Sequence, residues 1–265
     1  MPEFSESEIR FGIFIGLFLL LAVSEFYSPR RKLNYSKPKR WVTNWAIVVL
    51  DTLVLRLSQV WLAVAAAEWA SNNQFGLFNT LSISGVISGI IGFIILDFAI
   101  WAAHLASHKV PILWKVHRMH HSDVDIDVTT AIRFHPIEIV LSMIFKVLIV
   151  IAFGIPAMAV IIFEVVLNGA AMFNHSNLKI PISIDRWLRW IIVTPDMHRV
   201  HHSIVHNETD SNYGFNLPIW DRLFGTYIDQ PQAGHTDMDI GLKEWQDERP
   251  TRLGWSLKIP FLRKH

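Results

Sequence analysis

Histidine is the residue type best suited to chemistry in this 265-residue chain, which contains 13 histidines and no cysteine. Nine of them form four clusters: His104 with His108; His117, His120 and His121; the single His175; and His198, His201 and His202. Spacings of three and four residues bring side chains to one face of a helix. Imidazoles grouped in this way are typical ligands of iron, zinc, copper or nickel, and the sequence does not select among these metals.

Each cluster alone is a weak signal, because a single histidine near a membrane surface is more often an interfacial or hydrogen-bonded residue than a ligand. The HLASH pair at 104–108 falls in that class. Two HxxHH motifs in one short chain are harder to explain without a metal. One mononuclear site needs three or four protein ligands, so nine imidazoles predict two metal ions. The absence of cysteine excludes a disulfide framework, a thiolate zinc site and a cysteine nucleophile.

The composition is that of a membrane protein. Hydrophobic residues make up 51% of the chain and charged residues 18%, and the mean hydropathy is +0.31, which is too apolar for an ordinary soluble domain. The same figures exclude intrinsic disorder. With 24 basic and 23 acidic residues the net charge is +1, so we expect no nucleic-acid partner.

Apolar runs long enough to cross a bilayer of about 30 Å predict the spanning segments. Three are clear, at residues 11–27, 44–67 and 81–104, and the first is interpreted as an anchor and not a cleaved signal peptide. A fourth run at 137–173 is interrupted by Gly-Ile-Pro at 154–156, which predicts a helical hairpin. The predicted fold class is an all-α integral membrane protein with about three spanning helices, a helical hairpin, and a cytoplasmic helical cap that carries a di-metal site.

The distribution of basic residues predicts the orientation. Six follow the first span: Arg30, Arg31, Lys32, Lys37, Lys39 and Arg40. The loop at 71–80 has none, so the first loop is predicted to be cytoplasmic. Two further crossings and the hairpin would then leave residues 105–136 and 174–265 on the cytoplasmic side, together with all nine histidines.

Two regions are predicted to form one domain with a core at about 97–227. Residues 1–178 would form the transmembrane bundle and include the loop at 105–136. Residues 179–265 would form a cap on the membrane surface, helped by the amphipathic segment 184–192.

Charged residues inside the predicted spans are expected to have ion-pair or hydrogen-bond partners, because an unpaired charge in hydrocarbon is unfavourable. Asp97 lies on the helical stripe of His104 and His108, so we expect its carboxylate to accept a hydrogen bond from a ligand imidazole. A buried hydrogen bond to a neighbouring helix is the alternative. Asn168 lies on the same helical face as Glu164 and His175, and this face leads to the end of the bundle where the histidines are predicted.

Ion pairs are predicted for the remaining charges. Folding the hairpin about residues 154–155 places Lys146 opposite Glu164, and we expect these two side chains to pair. Asp51 and Arg56, in the second span, could pair with each other or with Asp97, and the sequence does not decide between these possibilities.

The order of motifs adds a family resemblance. The motifs are HxxxH at 104–108, HxxHH at 117–121, His175, HxxHH at 198–202, NYG at 212–214 and WDRLFGT at 220–226. This order resembles the fatty acid hydroxylase / sterol desaturase superfamily of membrane di-iron oxygenases, over about 97–227. The resemblance implies a non-haem di-iron centre, bound by the nine histidines, that uses O₂ and two electrons to hydroxylate or desaturate a C–H bond of a lipid.

The resemblance also extends to residues near the motifs. The segment RFHP at 133–136 is similar to the RxHPxE element of many members, which makes His135 a candidate ligand or partner of a ligand, with a capping role beside Pro136 as the alternative. Asn212 and Asp221, which lie in the resembling motifs, are candidates to support the ligands.

The cofactors and partners follow from the same resemblance. We expect two iron ions, with zinc as a substitute in a purified sample, and O₂ as cosubstrate. No fused cytochrome b5 domain is expected, so the electrons would come from a separate reductase, ferredoxin or cytochrome b5-type donor. The substrate would be a sterol-like, fatty acyl, isoprenoid or ether lipid from the bilayer. The membrane would be the plasma (inner) membrane of a bacterium or the endoplasmic reticulum of a eukaryote, and the oligomeric state stays open.

Two other classes of function use histidine clusters at a membrane. A metal transporter or store would need a polar path through the bundle, which the apolar spans 11–27 and 81–96 do not favour. A zinc-dependent membrane hydrolase would activate water, but the chain has no G-x-S-x-G motif or other nucleophile signature.

Overall fold

The computed structural model describes residues 5–60, 62–83 and 85–262, and these residues form helices, turns and loops with no β-strand. The helices are α1 (Glu6–Tyr27), α2 (Lys37–Leu57), α3 (Ala63–Asn72), α4 (Leu77–Thr80), α5 (Gly85–Lys109), α6 (Pro111–His117), α7 (Pro136–Phe153), α8 (Ala157–His175), α9 (Ile182–Leu188), α10 (Pro195–His201), α11 (His206–Thr209), α12 (Ile219–Leu223), α13 (Gly234–Asp237) and α14 (Leu253–Ser256). Short 3₁₀ turns cover His120–Ser122, Val128–Ile132, Arg249–Thr251 and Ile259–Phe261.

Four helices, α1, α5, α7 and α8, are long and apolar enough to cross a membrane. The predicted all-α fold is therefore confirmed, and the chain is an integral membrane protein.

The predicted hairpin is also confirmed. Helix α7 ends at Phe153, the Gly154 that caps it has a left-handed φ of 67°, and α8 begins directly after Pro156. Glycine tolerates this conformation and proline cannot continue a helix from the preceding turn, so the chain reverses here.

The prediction of one continuous second span at 44–67 is wrong. Helix α2 ends at Leu57, the chain then passes through Gln59 with a left-handed φ of 52°, and α3 begins at Ala63. Trp61 of the predicted second span and Ser84 of the predicted third span lie outside the described residues.

Helices α2 and α3 together still carry the chain from one end of the bundle to the other. At the start of α2, Arg40 pairs with Asp123, close to the histidine clusters. At the far end, the small side chains of α3 pack with the hairpin turn in one apolar core. Beside them Gly76 lies so close to Gly154 that a Cβ on Gly76 would be 2.3 Å from the Gly154 nitrogen. We call the end with the histidines the metal end.

The predicted ion pair within the hairpin is confirmed. The Lys146 Nζ lies 2.7 Å from the Glu164 Oε1, and the Arg10 guanidinium on α1 lies 2.5 Å from the Glu164 Oε2. The contact with Arg10 was not predicted from the sequence. By contrast, Asp51 and Arg56 form neither of the two predicted pairs within the described ranges, and the buried Asp51 Oδ1 has no hydrogen-bond partner there.

We predict that Glu164→Gln destabilises the protein by about 3 kcal/mol, because it leaves the Lys146 ammonium unpaired among apolar helices. The measurement is the thermal unfolding midpoint in detergent. Glu6→Gln is the matched control, since Glu6 also contacts Arg10, at 3.0 Å, but is exposed. Equal midpoint shifts in the two variants would contradict the structural role of the buried pair.

Candidate metal centre

The structure brings the nine predicted histidines together at one end of the bundle, in two adjoining groups. Group one consists of His104, His108, His117, His121 and His201, and group two of His120, His175, His198 and His202. Within each group the potential ligand atoms lie within 4.8 Å of one another. Eight of the nine residues are buried, and the side chain of His108 is only 1% exposed. The rings of His121 and His202 stack at 4.5 Å and join the two groups.

Each HxxHH motif contributes to both groups, which the sequence analysis did not foresee. In the first motif His117 and His121 belong to group one and His120 to group two. In the second motif the assignment is reversed, because His198 and His202 belong to group two and His201 to group one. In each motif the two histidines four residues apart share a group, and the histidine between them joins the other group.

The two motifs lie on different backbones. Helix α6 begins at Pro111 but ends at His117, and residues 120–122 form a 3₁₀ turn. The expectation that all three rings of the first motif share one helical face is therefore wrong. The second motif lies on α10, where Thr194 accepts a hydrogen bond from the Met197 N–H and Pro195 occupies the first turn.

Two buried arginines hold the segment that contains the first motif. The Arg133 guanidinium donates to the side chains of Asn44 at 2.9 Å and Ser122 at 3.1 Å. The Arg40 guanidinium pairs with Asp123 at 2.9 Å and also with Asp127. These bonds join α2 to the loop after α6 and hold the imidazoles of this loop against α2.

Hydrogen bonds at Nδ1 direct the Nε2 atoms of several rings into the groups. The His104 Nδ1–H donates to the Tyr213 carbonyl at 2.7 Å, and the His117 Nδ1–H donates to the Glu138 carboxylate at 2.6 Å. A neutral imidazole has one N–H, so the Nε2 of both rings carries a lone pair. These two lone pairs face each other at 3.2 Å. This contact is unfavourable unless a cation lies between them.

Group two has the same arrangement. The Nδ1 atoms of His175 and His120 face the carbonyls of Ala171 at 2.7 Å and Arg133 at 3.2 Å. Their Nε2 atoms lie 3.1 Å apart. Ligands at about 2.1 Å from a common ion lie about 3.0–3.4 Å apart at octahedral or tetrahedral angles, so both groups fit a bound metal ion.

Burial keeps these rings neutral, as metal ligation requires. Removal from water lowers the pKa of His201 to about 3. The same cause holds the pKa of His120, His121, His198 and His202 well below its ordinary value. Protons therefore compete weakly with a metal for these nitrogens at neutral pH.

Asp221 supports the ligands through the backbone. Its carboxylate accepts hydrogen bonds from the backbone N–H groups of Tyr213 and Gly214, at 2.9 and 2.8 Å, and from the Trp101 indole at 3.0 Å. The Tyr213 carbonyl in turn accepts from His104. Asn212 ties the same segment to α10, since its amide donates to the Met197 carbonyl at 2.9 Å.

Three other predicted contributors are located elsewhere. Asp97 accepts a hydrogen bond from the Trp220 indole at 2.7 Å. The expectation that Asp97 holds a ligand imidazole is therefore wrong. The structure contains the alternative, a buried hydrogen bond to a neighbouring helix. Seven residues of helix place its backbone about 10 Å from that of His104 along the axis. Asn168 is exposed on α8. His135 caps α7, because its Nδ1 accepts from the Ile137 N–H at 3.1 Å.

The sequence analysis missed two carboxylates that contact the imidazoles. Glu138 accepts from His117, and Asp210 lies 3.4 Å from the His108 Nδ1. The only signal for Glu138 was the last letter of the RxHPxE element. Asp210 had none, because it lies about a hundred residues from the histidine that it contacts.

Comparison with known proteins identifies the family. The family model for fatty acid hydroxylase matches residues 89–226, which include all nine histidines, and the chain belongs to this family. Among the relatives, ornithine lipid hydroxylase OlsE of Rhizobium tropici is 31% identical over 154 residues, covering 57% of this chain and 45% of the relative. Alkylglycerol monooxygenase of Xenopus tropicalis is 37% identical over 143 residues, covering 53% and 30%.

Cholesterol 25-hydroxylase of Rattus norvegicus is a further relative, 26% identical over 178 residues, covering 64% of this chain and 57% of the relative. The chain thus spans between about a third and somewhat over half of the length of these relatives. No solved structure matches the chain.

The lowered pKa values predict that the metal-free protein loses stability as the pH falls from 7 to 5. The unfolded chain takes up protons on histidine near pH 6.5, whereas folded His201 stays neutral down to a pKa of about 3. This difference costs the folded state about 2 kcal/mol at pH 5 for His201 alone.

Thermal unfolding in detergent at the two pH values tests this prediction. His201→Gln should reduce the pH dependence, and His206→Gln should not, because the side chain of His206 is 86% exposed. A midpoint that stays constant or rises from pH 7 to pH 5 would contradict the neutral, buried state of these rings.

Proposed function

We propose that this protein is a membrane di-iron oxygenase that uses O₂ and two electrons to hydroxylate or desaturate a lipid. The observation that carries the proposal is the pair of adjoining imidazole groups at one end of an apolar helical bundle. The names of the relatives support it, since they describe a hydroxylase of ornithine lipid, a monooxygenase of alkylglycerol and a hydroxylase of cholesterol. Iron is proposed from the resemblance of the histidine motifs to those of di-iron oxygenases.

The chain's own residues would hold the ions, orient them and exclude water. The nine histidines would ligate two iron ions, which supply O₂ binding and reduction when they are bound. The Phe134 ring lies parallel to the His120 ring at 4.5 Å, and the Phe215 ring lies 4.9 Å from the His104 ring. These apolar rings contact the imidazole groups and would keep bulk water away from the reacting carbon.

The substrate would reach the site from the bilayer. Hydroxylation converts a C–H bond, O₂, two electrons and two protons into an alcohol and water. The site must therefore be accessible to the electron donor from the polar side and to the lipid from the apolar side. Along α5 the side chains of Ile90, Ile94 and Phe98 are exposed at four-residue spacing and form an apolar surface for lipid that leads toward His104. Sterol-like, fatty acyl, isoprenoid and ether lipids all suit such a surface.

We also propose the location and partners of the site. The basic loop after α1 supports a cytoplasmic metal end, at the inner membrane of a bacterium or the endoplasmic reticulum of a eukaryote. A separate reductase, ferredoxin or cytochrome b5-type protein would deliver the electrons there. Residues 1–178 and 179–265 would act as one domain, because each imidazole group takes ligands from both.

Single substitutions in each group test the proposal. His120→Ala removes a ligand from group two and His201→Ala one from group one, and each should abolish lipid-dependent O₂ consumption and lower the iron content. His206→Ala is the matched control, because this exposed histidine belongs to neither group. Full activity in either ligand variant would refute the assignment. Bound zinc without O₂ consumption in the wild type would favour a hydrolase or a metal transporter instead.

A further inference from the structure

The two imidazole groups differ in the charge that surrounds them. In group one, the Glu138 carboxylate accepts the His117 Nδ1–H at 2.6 Å, and the Asp210 carboxylate lies 3.4 Å from the His108 Nδ1. Both carboxylates are largely shielded, with side chains 16% and 17% exposed.

Group two has only neutral acceptors in the part of the chain that the structure describes. Its Nδ1 atoms face the carbonyls of Ala171 and Arg133, and the buried Nδ1 of His198 has no partner. No carboxylate is paired with a ring of this group among the described residues.

A carboxylate behind an imidazole strengthens that ring as a ligand in two ways. It fixes the ring's tautomer and orientation, and its negative charge makes the other nitrogen more basic. The charge also offsets part of the positive charge of a bound divalent ion, and this effect is larger in a buried site than in water. A carbonyl acceptor provides the orientation with a much smaller charge effect.

We propose that Glu138, assisted by Asp210, is a positioning residue that makes group one bind its metal ion more tightly than group two. This inference rests on the metal binding in the proposed function. Glu138 makes the larger contribution, because its contact with the imidazole is shorter and its Oε2 is buried without another partner. Asp210 shares its charge with the exposed ammonium of Lys109, at 2.6 Å.

Glu138→Gln tests the proposal, because glutamine keeps an oxygen that can accept the His117 N–H while the charge is lost. We would measure Zn²⁺ affinity in two backgrounds. The pair His198→Ala/His202→Ala leaves group one intact, and the pair His104→Ala/His108→Ala disables group one and leaves group two. Adding Glu138→Gln should raise the Zn²⁺ dissociation constant about 10–100-fold in the first background. It should leave the constant unchanged in the second.

Two further variants separate charge from structure. Glu138→Asp retains the charge and should recover part of the affinity. Asp125→Asn is the matched control, since Asp125 is a buried carboxylate at the metal end that accepts from the backbone N–H groups of Asn34 and Tyr35, at 2.8 and 2.9 Å, and contacts no imidazole. An equal loss of Zn²⁺ affinity in Glu138→Gln and Asp125→Asn would overturn the proposal.

A measurement on the chain with all nine histidines decides the question if the double variants do not fold. Chelator should remove two Zn²⁺ ions in two phases from the wild type, and Glu138→Gln should shift the slower, tighter phase toward the faster one. Two ions that leave in a single phase from the wild type would overturn the inference and leave the proposed oxygenase intact. Two-phase release from the zinc-loaded protein, together with no lipid oxidation by the iron-loaded protein, would overturn the proposed function alone.

Discussion

The structure depends on nine imidazoles buried together, several of which face one another through their ring nitrogens at 3.1–3.2 Å. His104 and His117 each donate the single N–H of the neutral ring outward, so their Nε2 atoms face each other as two acceptors at 3.2 Å. Water cannot relieve this contact because the rings are buried, and unsatisfied buried acceptors destabilise a fold. A cation between the nitrogens converts the repulsion into ligation. The arrangement therefore fits a bound metal ion in each group.

Much of the remaining chain can be understood as support for this convergence. The spanning helices α5 and α8 bring His104, His108 and His175 to one end of the bundle, and the apolar core at the other end keeps those helices in register. The cap adds α10, whose imidazoles complete both groups. Asp221 links the cap to α5 through the Trp101 indole and the Tyr213 backbone. The bundle and the cap thus share one site.

The sequence predicted the elements whose signals are local. The spacing of the histidines, the hairpin at 154–156 and the pairing of Lys146 with Glu164 follow from helical geometry and from the cost of charge in lipid, and the structure contains each arrangement. The second span was mispredicted because hydropathy alone does not detect the break near Gln59, where a polar residue adopts a left-handed conformation.

Contacts between residues that are distant in the sequence determine the features of the site that the sequence analysis did not predict. Each HxxHH motif is divided between the two groups, both where α6 ends at His117 and on α10, so the division depends on the histidines that other elements bring to each group. Glu138 reaches His117 from another helix, and Asp97 bonds to Trp220, about 120 residues away, instead of to a nearby histidine. Such pairs carry no periodic signal in the sequence.

The most direct measurement is an anomalous diffraction map of the purified, iron-loaded protein at the iron absorption edge. The account predicts two peaks, one within the ring nitrogens of His104, His108, His117, His121 and His201 and one within those of His120, His175, His198 and His202. A single peak, or peaks outside these two sets of nitrogens, would contradict it.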